Sequence, residues 1–144
     1  MKELVLIEIE GNRYGIWKDA LHSACFDVLR VHGFPVGNSF VSGVADHEGK
    51  MCTFYDLSAS LGHGAYDRNL PGRGVLLTEG RRPSGLVFRR EVGRVQAARQ
   101  KVLDLPDFMA TSEISTCIMV EGEPALILDI QAMAERVSEG LYAP

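Results

Sequence analysis

Apolar and polar side chains alternate at the start of the chain. In residues 5–10 an apolar side chain occupies every second position, which is the two-residue period of a half-buried β-strand. Gly11-Asn12 follows as a turn, and Tyr14 and Ile16 then share one face of a returning strand. Residues 4–18 are therefore predicted to form a β-hairpin.

The rest of the first half predicts three more strands and one short helix. The strands correspond to the apolar stretches Cys25–Val31, Phe40–Ala45 and Met51–Tyr55. Asp56 is a suitable N-cap for a helix over Leu57–Leu61, which Gly62 ends. Residues 62–74 are rich in glycine and polar residues, and we expect them to connect the two halves of the chain.

The second half shows a similar succession of elements. Residues 75–78 and 85–88 predict another hairpin, with its turn around Gly80. After two further apolar runs, Asp129 is predicted to cap a C-terminal helix over about 129–138. The apolar face of that helix consists of Ile130, Met133, Ala134 and Val137.

Several short segments recur in the same order about half a chain length later. Glu10-Gly11 recurs as Glu79-Gly80, 69 residues further on. The clearest match aligns Glu48–Ala59 with Glu121–Ala132 without a gap, 73 residues further on. Because the segments keep their order, we interpret them as an internal duplication and not as chance recurrence of glycine turns.

The duplication predicts a mainly β fold. A unit of about 70 residues with five short strands is too small for an extensive core of its own. We therefore expect two pseudo-symmetric five-stranded antiparallel β-barrels packed together as one domain, with short helices after Asp56 and Asp129. Residues 1–64 are assigned to the first barrel and residues 65–144 to the second. The groove between the barrels is the expected docking site.

The composition restricts the possible partners. The chain has 144 residues, of which 46% are hydrophobic, enough to fill a core. A formal net charge of -4 argues against general binding to nucleic acid or to anionic membranes. No apolar run has the length of a signal peptide or a membrane span, so direct membrane insertion is not expected. Three widely spaced cysteines favour a reducing cytoplasm over a disulfide framework.

The sequence does not suggest catalysis, a metal or a cofactor. The four histidines are dispersed, and His47-Glu48-Gly49-Lys50 lacks the second histidine of a helical zinc motif. Nucleophile elbows, phosphate-binding loops and paired cysteines of the Cys-x-x-Cys type are also missing. We therefore predict a protein that is not an enzyme.

Two sets of residues could still be read as reactive groups. Asp56 and Asp129 could form a pair of catalytic carboxylates, but each stands at a step from strand to helix, where capping is the better interpretation. The cysteines lie among apolar neighbours, which favours buried thiols over activated thiolates.

The ordered set of motifs resembles the CheW-like coupling domains of bacterial chemotaxis and related sensory systems. The resemblance covers about residues 4–138 and implies two five-stranded barrels, in agreement with the repeat. It also implies an adaptor of two-component signal transduction, a cytoplasmic scaffold recruited to membrane receptor arrays. The matching segments are Leu4–Ile9, Tyr14-Gly15-Ile16, Asp27-Val28, Phe34-Pro35, Val41–Val44, Gly49-Lys50, Asp56-Leu57 and Leu128-Asp129-Ile130.

One position departs from the family pattern. Where the family usually reads Asn-Leu-Arg-Gly, this chain has Asp46-His47-Glu48-Gly49, so Glu48 replaces an arginine that the resemblance associates with partner coupling. Asp27 occupies the acidic strand position that often has that arginine as a neighbour. Two carboxylates close together would repel each other or share a proton. We hypothesise that the partner carries the complementary basic group near Glu48.

The resemblance implies protein partners, namely the regulatory domain of a histidine kinase and the cytoplasmic tip of a methyl-accepting chemoreceptor. Two alternatives remain open, an adaptor of another pathway such as surface motility and a barrel protein that binds a small molecule. For the apolar members of the predicted docking region, simple core packing is the competing interpretation. The predicted partner-binding residues are Asp27, Phe34, Pro35, Phe40, Val41, Gly43, Val44 and Glu48.

Overall fold

The computed structural model describes most of the chain. The described residues are 2–27, 31–33, 40–67, 70, 72–78, 82–98 and 101–142, with the backbone alone at 23–27 and 138–142. The first six strands and the first helix are β1 (Lys2–Ile9), β2 (Asn12–Trp17), β3 (Leu21–Asp27), β4 (Val41–His47), β5 (Lys50–Asp56), α1 (Leu57–Ser60) and β6 (Arg73–Leu77). The remaining elements are β7 (Ser84–Phe88), β8 (Glu91–Ala97), β9 (Leu103–Asp104), β10 (Ile114–Val120), β11 (Glu123–Leu128) and α2 (Ile130–Tyr142), and a 3-10 helix spans Lys18–Ala20.

The strands form two sheets, and the mainly β class is confirmed. One sheet has six strands in the order β8-β1-β2-β11-β10-β9, and the other has five in the order β3-β6-β7-β5-β4. The strand pairs are antiparallel as expected, except that each sheet contains one parallel pair, β11 with β2 and β5 with β7.

The expected closed barrels are also corrected. Among the described residues no hydrogen-bonded ladder joins β8 to β9 or β3 to β4, so both sheets are open. In the five-stranded sheet the two edge strands nevertheless approach each other at His22 and His47, whose ring centroids lie 5.9 Å apart. At this position the contact between the two edge strands is one of side chains.

The internal repeat is visible in the strand order. If each strand is replaced by its counterpart in the other half, β3-β6-β7-β5-β4 becomes β8-β1-β2-β11-β10, which is the six-stranded sheet without β9. Each half therefore contributes its first hairpin to the sheet that contains the other three strands of the opposite half. The two copies of the repeat thus share one strand order and exchange these hairpins.

The exchange divides the chain differently from the predicted halves, 1–64 and 65–144. Unit 1 consists of Met1–Ala20 and Glu91–Met133, and unit 2 consists of Leu21–Arg90 and Ala134–Pro144. Each unit therefore combines strands of both halves. The physical reason is the parallel pairing, because β2 is hydrogen-bonded to β11 and β7 to β5.

Each unit has its own apolar core. In unit 1 the buried cluster contains Leu4, Leu6, Ala97, Ile118, Ala125 and Ile127. In unit 2 it contains Val31, Ala45, Cys52, Phe54, Leu76 and Val87. Apart from Val31, these side chains come from strands, in which alternate positions face the core, and this is why the two-residue period could be recognised in the sequence.

A glycine at the corresponding place of each parallel pair leaves room for a neighbouring side chain. Gly85 pairs in register with Phe54, and Gly15 pairs with Ile127 at the corresponding place in the other sheet. A Cβ atom at Gly85 would overlap the Phe54 ring, and one at Gly15 would lie 2.7 Å from Leu4 Cδ2. The neighbours differ, because Phe54 belongs to β5, the parallel partner of β7, whereas Leu4 belongs to β1, the antiparallel partner of β2.

Three of the hairpins turn on the dipeptide Glu-Gly. Both turn residues have positive φ, about 49–52° at Glu and 79–80° at Gly, as in two-residue type I′ turns. The left-handed conformation explains the glycine at the second position, whereas glutamate at the first departs from the usual Asn or Asp. The three turns are Glu10-Gly11, Glu48-Gly49 and Glu121-Gly122.

Both predicted helix caps are confirmed. Asp56 Oδ1 accepts a 3.1 Å hydrogen bond from the Ala59 N–H, and Asp129 Oδ1 accepts one of 3.0 Å from the Ala132 N–H. Helix α1 is one residue shorter than predicted, and α2 extends four residues beyond the predicted end. The buried face of α2 includes Ile130, Met133 and Val137, as the helical spacing predicted.

Candidate protein-docking surface

Five of the eight predicted partner-binding residues lie on or beside strand β4. Val41, Gly43 and Val44 belong to β4 itself, Phe40 immediately precedes it, and Glu48 begins the turn that follows it. Asp27 ends β3, where its backbone lies opposite Arg73, and its side chain is outside the described residues. Phe34 and Pro35 also lie outside the described residues.

Strand β4 is an edge of the five-stranded sheet, and part of its outer side is covered. Val44 and His32 exchange two backbone hydrogen bonds of 2.8 and 2.9 Å. A Cβ atom at Gly43 would overlap the backbone of His32, so this glycine permits the close approach of the two segments. The structure therefore gives Gly43 a packing role.

Phe40 is held by contacts within unit 2. Its carbonyl oxygen accepts a 2.8 Å hydrogen bond from the Asp56 N–H. The guanidinium carbon of Arg136 lies 5.7 Å from the centroid of the Phe40 ring, within cation–π range. Arg136 Nη2 also donates a 3.0 Å hydrogen bond to the carbonyl oxygen of Ser60. The half-buried Phe40 ring thus helps to anchor α2 beside α1.

Glu48 is well placed for contact with a partner. Its side chain is 84% exposed at the tip of the β4–β5 hairpin. The nearest described cationic candidate is His47, whose Nε2 atom lies 3.9 Å from Glu48 Oε1. Among the predicted residues whose side chains the structure describes, Glu48 therefore offers an accessible charge.

A second surface, which the sequence reasoning missed, lies near the β9 edge of the six-stranded sheet. Phe108 is 88% exposed and its neighbour Met109 is 53% exposed. Backbone hydrogen bonds hold the turn that carries them: the N–H groups of Met109 and Ala110 donate hydrogen bonds of 2.8 and 3.1 Å to the carbonyl oxygen of Pro106. We call residues 106–110 the Phe108 turn.

The Phe108 turn is anchored to the sheet on both sides. The Leu105 N–H donates a 2.9 Å hydrogen bond to the Ser115 carbonyl, and the Thr111 N–H donates one of 2.8 Å to the Ile114 carbonyl. Close in sequence, β9 presents the half-exposed Leu103 at the sheet edge. The available signal was an apolar pair, Phe108-Met109, directly after the turn residues Pro106-Asp107.

The edge beyond β9 also leaves backbone groups accessible. Strand β9 pairs with Thr116 and Cys117 of β10 and extends no further. Met119 lies two residues beyond Cys117 on β10, and backbone groups of alternate residues point to the same side of a strand. Like those of Cys117, the N–H and C=O of Met119 therefore point away from β11. Met119 is half exposed, and this edge can therefore accept an apolar partner segment.

The described residues provide little for catalysis. They contain no group of three or more His, Cys, Asp or Glu side chains arranged to hold a metal. Cys52 and Cys117 are buried, as predicted, and burial raises the pKa of the Cys52 thiol, with Asp46 adding to the effect. Among the helices in the described part of the chain, none combines the length and apolar character needed to cross a bilayer.

Comparison with known proteins identifies the fold. The CheW-like domain family matches residues 3–138. Among solved structures, the scaffolding protein TtCheW from Thermoanaerobacter tengcongensis superposes with a TM-score of 0.76 at 14% sequence identity, covering 92% of this chain and 91% of that chain. No curated protein matches the sequence. The resemblance inferred from the ordered motifs is thus confirmed.

Proposed function

Because the chain belongs to the CheW-like domain family, we propose that it is a cytoplasmic scaffold that couples a chemoreceptor to a histidine kinase without catalysing a reaction itself. Its partners are then the cytoplasmic tip of the receptor and the regulatory domain of the kinase. The observation that carries the proposal is the exposure of Phe108 on an ordered turn.

An exposed aromatic side chain on a fixed turn is suited to protein binding. Burying a phenylalanine that was exposed contributes roughly 1.5–3 kcal/mol. Because the Phe108 turn is already held by hydrogen bonds to Pro106, little conformational entropy is lost when a partner covers it. Aromatic anchors of this kind often dominate the energy of an interface.

Glu48 offers a second contact, of different chemistry. It lies in unit 2, whereas Phe108 lies in unit 1, so a scaffold could use them for different partners. An exposed carboxylate attracts a basic group and chiefly affects the association rate and its dependence on salt. This supports the hypothesis that the partner facing Glu48 is basic.

The proposal is tested by measuring binding of the purified protein to the kinase regulatory domain and to the receptor tip. We expect Phe108→Ala to weaken binding to one of them by about tenfold or more, as for an interface anchor. Val92→Ala is the matched control, since Val92 is an exposed apolar residue of the same unit at 44% exposure, and it should change affinity less than about twofold. Unchanged affinity for both partners would refute a docking role for Phe108.

Glu48 has its own matched control in the duplicated turn. Glu48→Arg should change the affinity and the salt dependence for the partner that it faces, because it reverses an exposed charge. Glu121→Arg makes the same change at the equivalent position of the β10–β11 turn and should leave that affinity unaltered. Equal effects of the two substitutions would argue for general electrostatics instead of a local contact.

A further inference from the structure

A pocket of about 320 Å³ opens within unit 1, beside the first turn of α2. One wall is the aromatic side chain of Trp17, which also packs against the unit 1 core. The polar lining residues include three carboxylates and two hydroxyls, namely Asp19, Glu113, Asp129, Ser115 and Thr116. None of the lining residues, all within the described part of the chain, is lysine, arginine or histidine.

We propose that this pocket binds a positively charged organic group, an alkylammonium or a guanidinium. Its volume lies at the lower end of the range for ligand sites, about 300–1,000 Å³. The carboxylates attract the charge, and the indole of Trp17 favours a cation through its ring quadrupole. The hydroxyls of Ser115 and Thr116 can accept the remaining N–H donors.

Backbone contacts hold the principal carboxylates in place. The Asp129 N–H donates a 2.8 Å hydrogen bond to the Glu113 carbonyl, which fixes these two residues beside each other. Asp129 uses Oδ1 to cap α2, and no described group is bonded to its Oδ2. Asp19 contributes less, because its Oδ2 lies 3.2 Å from Lys2 Nζ in a pair that is mostly exposed.

The lining distinguishes an organic cation from other ligands. A helix N-terminus alone would favour an anion, but here the carboxylate of Asp129 already satisfies it and two further acids line the same space. A bound metal ion would need three or more ligating side chains in suitable positions, and the described residues contain no such group. A cation with an apolar stem matches both the acids and the indole.

Trp17 provides a direct reporter, because it is the single tryptophan of the chain. The free protein can be titrated with N-butylguanidinium chloride while Trp17 fluorescence is recorded, with N-butylurea as the uncharged isostere. We expect a saturable change with the guanidinium compound that weakens as salt is added, and none with the urea. No receptor or kinase is present, so the result is independent of the proposed scaffold function.

Two variants and one control test the assignment of residues. Glu113→Gln and Asp129→Asn should each weaken binding by about three- to fivefold, the scale of a partly exposed ion pair. Asparagine retains the helix cap, so Asp129→Asn separates loss of charge from loss of structure. Glu8→Gln removes an exposed acid of the same unit that does not line the pocket, and it should leave the affinity unchanged.

A second titration distinguishes a free cation from a side chain of a protein. A short peptide containing arginine is compared with the same peptide containing citrulline. Tighter binding of the arginine peptide than of N-butylguanidinium would identify a protein side chain as the source, and comparable binding would identify a free organic cation. Absence of saturation, equal responses to the urea, or equal affinity in all variants would overturn the proposal.

Discussion

The backbone N–H of Tyr66 donates a 2.7 Å hydrogen bond to Oδ2 of Asp56, while Oδ1 of the same carboxylate caps α1. Asp56 therefore joins the start of a helix to the long connection that follows it. Tyr66 in turn packs against the unit 2 core and donates its hydroxyl to the Leu70 carbonyl. One buried carboxylate thus organises the segment between the two halves of the sequence.

Asp56→Ala should destabilise the protein more than Asp129→Ala. Loss of an N-cap costs about 1 kcal/mol, and loss of a hydrogen bond to a charged acceptor costs about 1.5–3 kcal/mol. Asp56 makes both contacts, so its replacement should cost about 2.5–4 kcal/mol, against about 1 kcal/mol for the exposed cap Asp129. Urea unfolding followed by circular dichroism measures both, and equal costs would contradict the double role of Asp56.

The duplicated Glu-Gly turns predict a stabilising substitution. Glu121 adopts φ of 52°, a left-handed conformation that costs an ordinary L-residue about 1–2 kcal/mol and costs asparagine less. Glu121→Asn should therefore raise the free energy of unfolding by about 0.5–1 kcal/mol. Gly122→Ala, at φ of 80°, should lower it by a similar amount or more. Thermal unfolding compares them, and a destabilised Glu121→Asn variant would disprove the assigned cause.

Gly43 was predicted to bind a partner, and the structure suggests a test of its packing role. Because a Cβ atom would overlap the His32 backbone, Gly43→Ala should separate β4 from His32 and cost about 1–3 kcal/mol. Ser42→Ala, at the adjacent half-buried position, should cost less than about 0.5 kcal/mol. If Gly43→Ala is as stable as Ser42→Ala, the close approach does not constrain the strand.

The local elements were predictable because their causes are local. Alternation marked the β1–β2 hairpin, and Asp56 and Asp129 marked the helix starts at which they are now seen to act. The repeat also followed from short matching segments. What these signals share is that each depends on residues adjacent in sequence.

The exchange of hairpins could not be predicted in the same way. In the structure Phe54 of the first half pairs with Gly85 of the second, and Ile127 of the second half pairs with Gly15 of the first. Without the exchange, each hairpin would pair with a strand of its own half. Because the repeats are similar, both arrangements satisfy the same alternation and the same glycines. The connections and the packing of each core decide between them, and neither is a local property.

Phe108 illustrates a different limit. A phenylalanine followed by methionine in a sequence that is 46% hydrophobic is expected to join a core, and only the tertiary structure shows that the turn points both side chains outward. Phe40 shows the same dependence, because its half-buried ring lies against Arg136, which is distant in sequence. Exposure depends on contacts between distant segments.

Alkaline pH should destabilise the fold through two buried groups. Burial raises the pKa of the Cys52 thiol above its usual value of 9.0, and burial together with Glu10 raises the pKa of the Tyr14 hydroxyl above 10.0. Both groups ionise at a lower pH in the unfolded chain, so raising the pH draws the equilibrium towards that state. Their contribution to stability is complete below pH 9.0 and is lost as the pH rises through the folded pKa values.

The measurement is the free energy of unfolding in urea between pH 8 and pH 11. Each group adds at most about 1.4 kcal/mol per pH unit to the downward slope. Tyr14→Phe and Cys52→Ala remove one ionisation each, so both should flatten the slope even where the substitution lowers stability at pH 8. Other titrating side chains contribute equally to the wild type and the variants, and three identical slopes would therefore show that neither burial affects the stability of the fold.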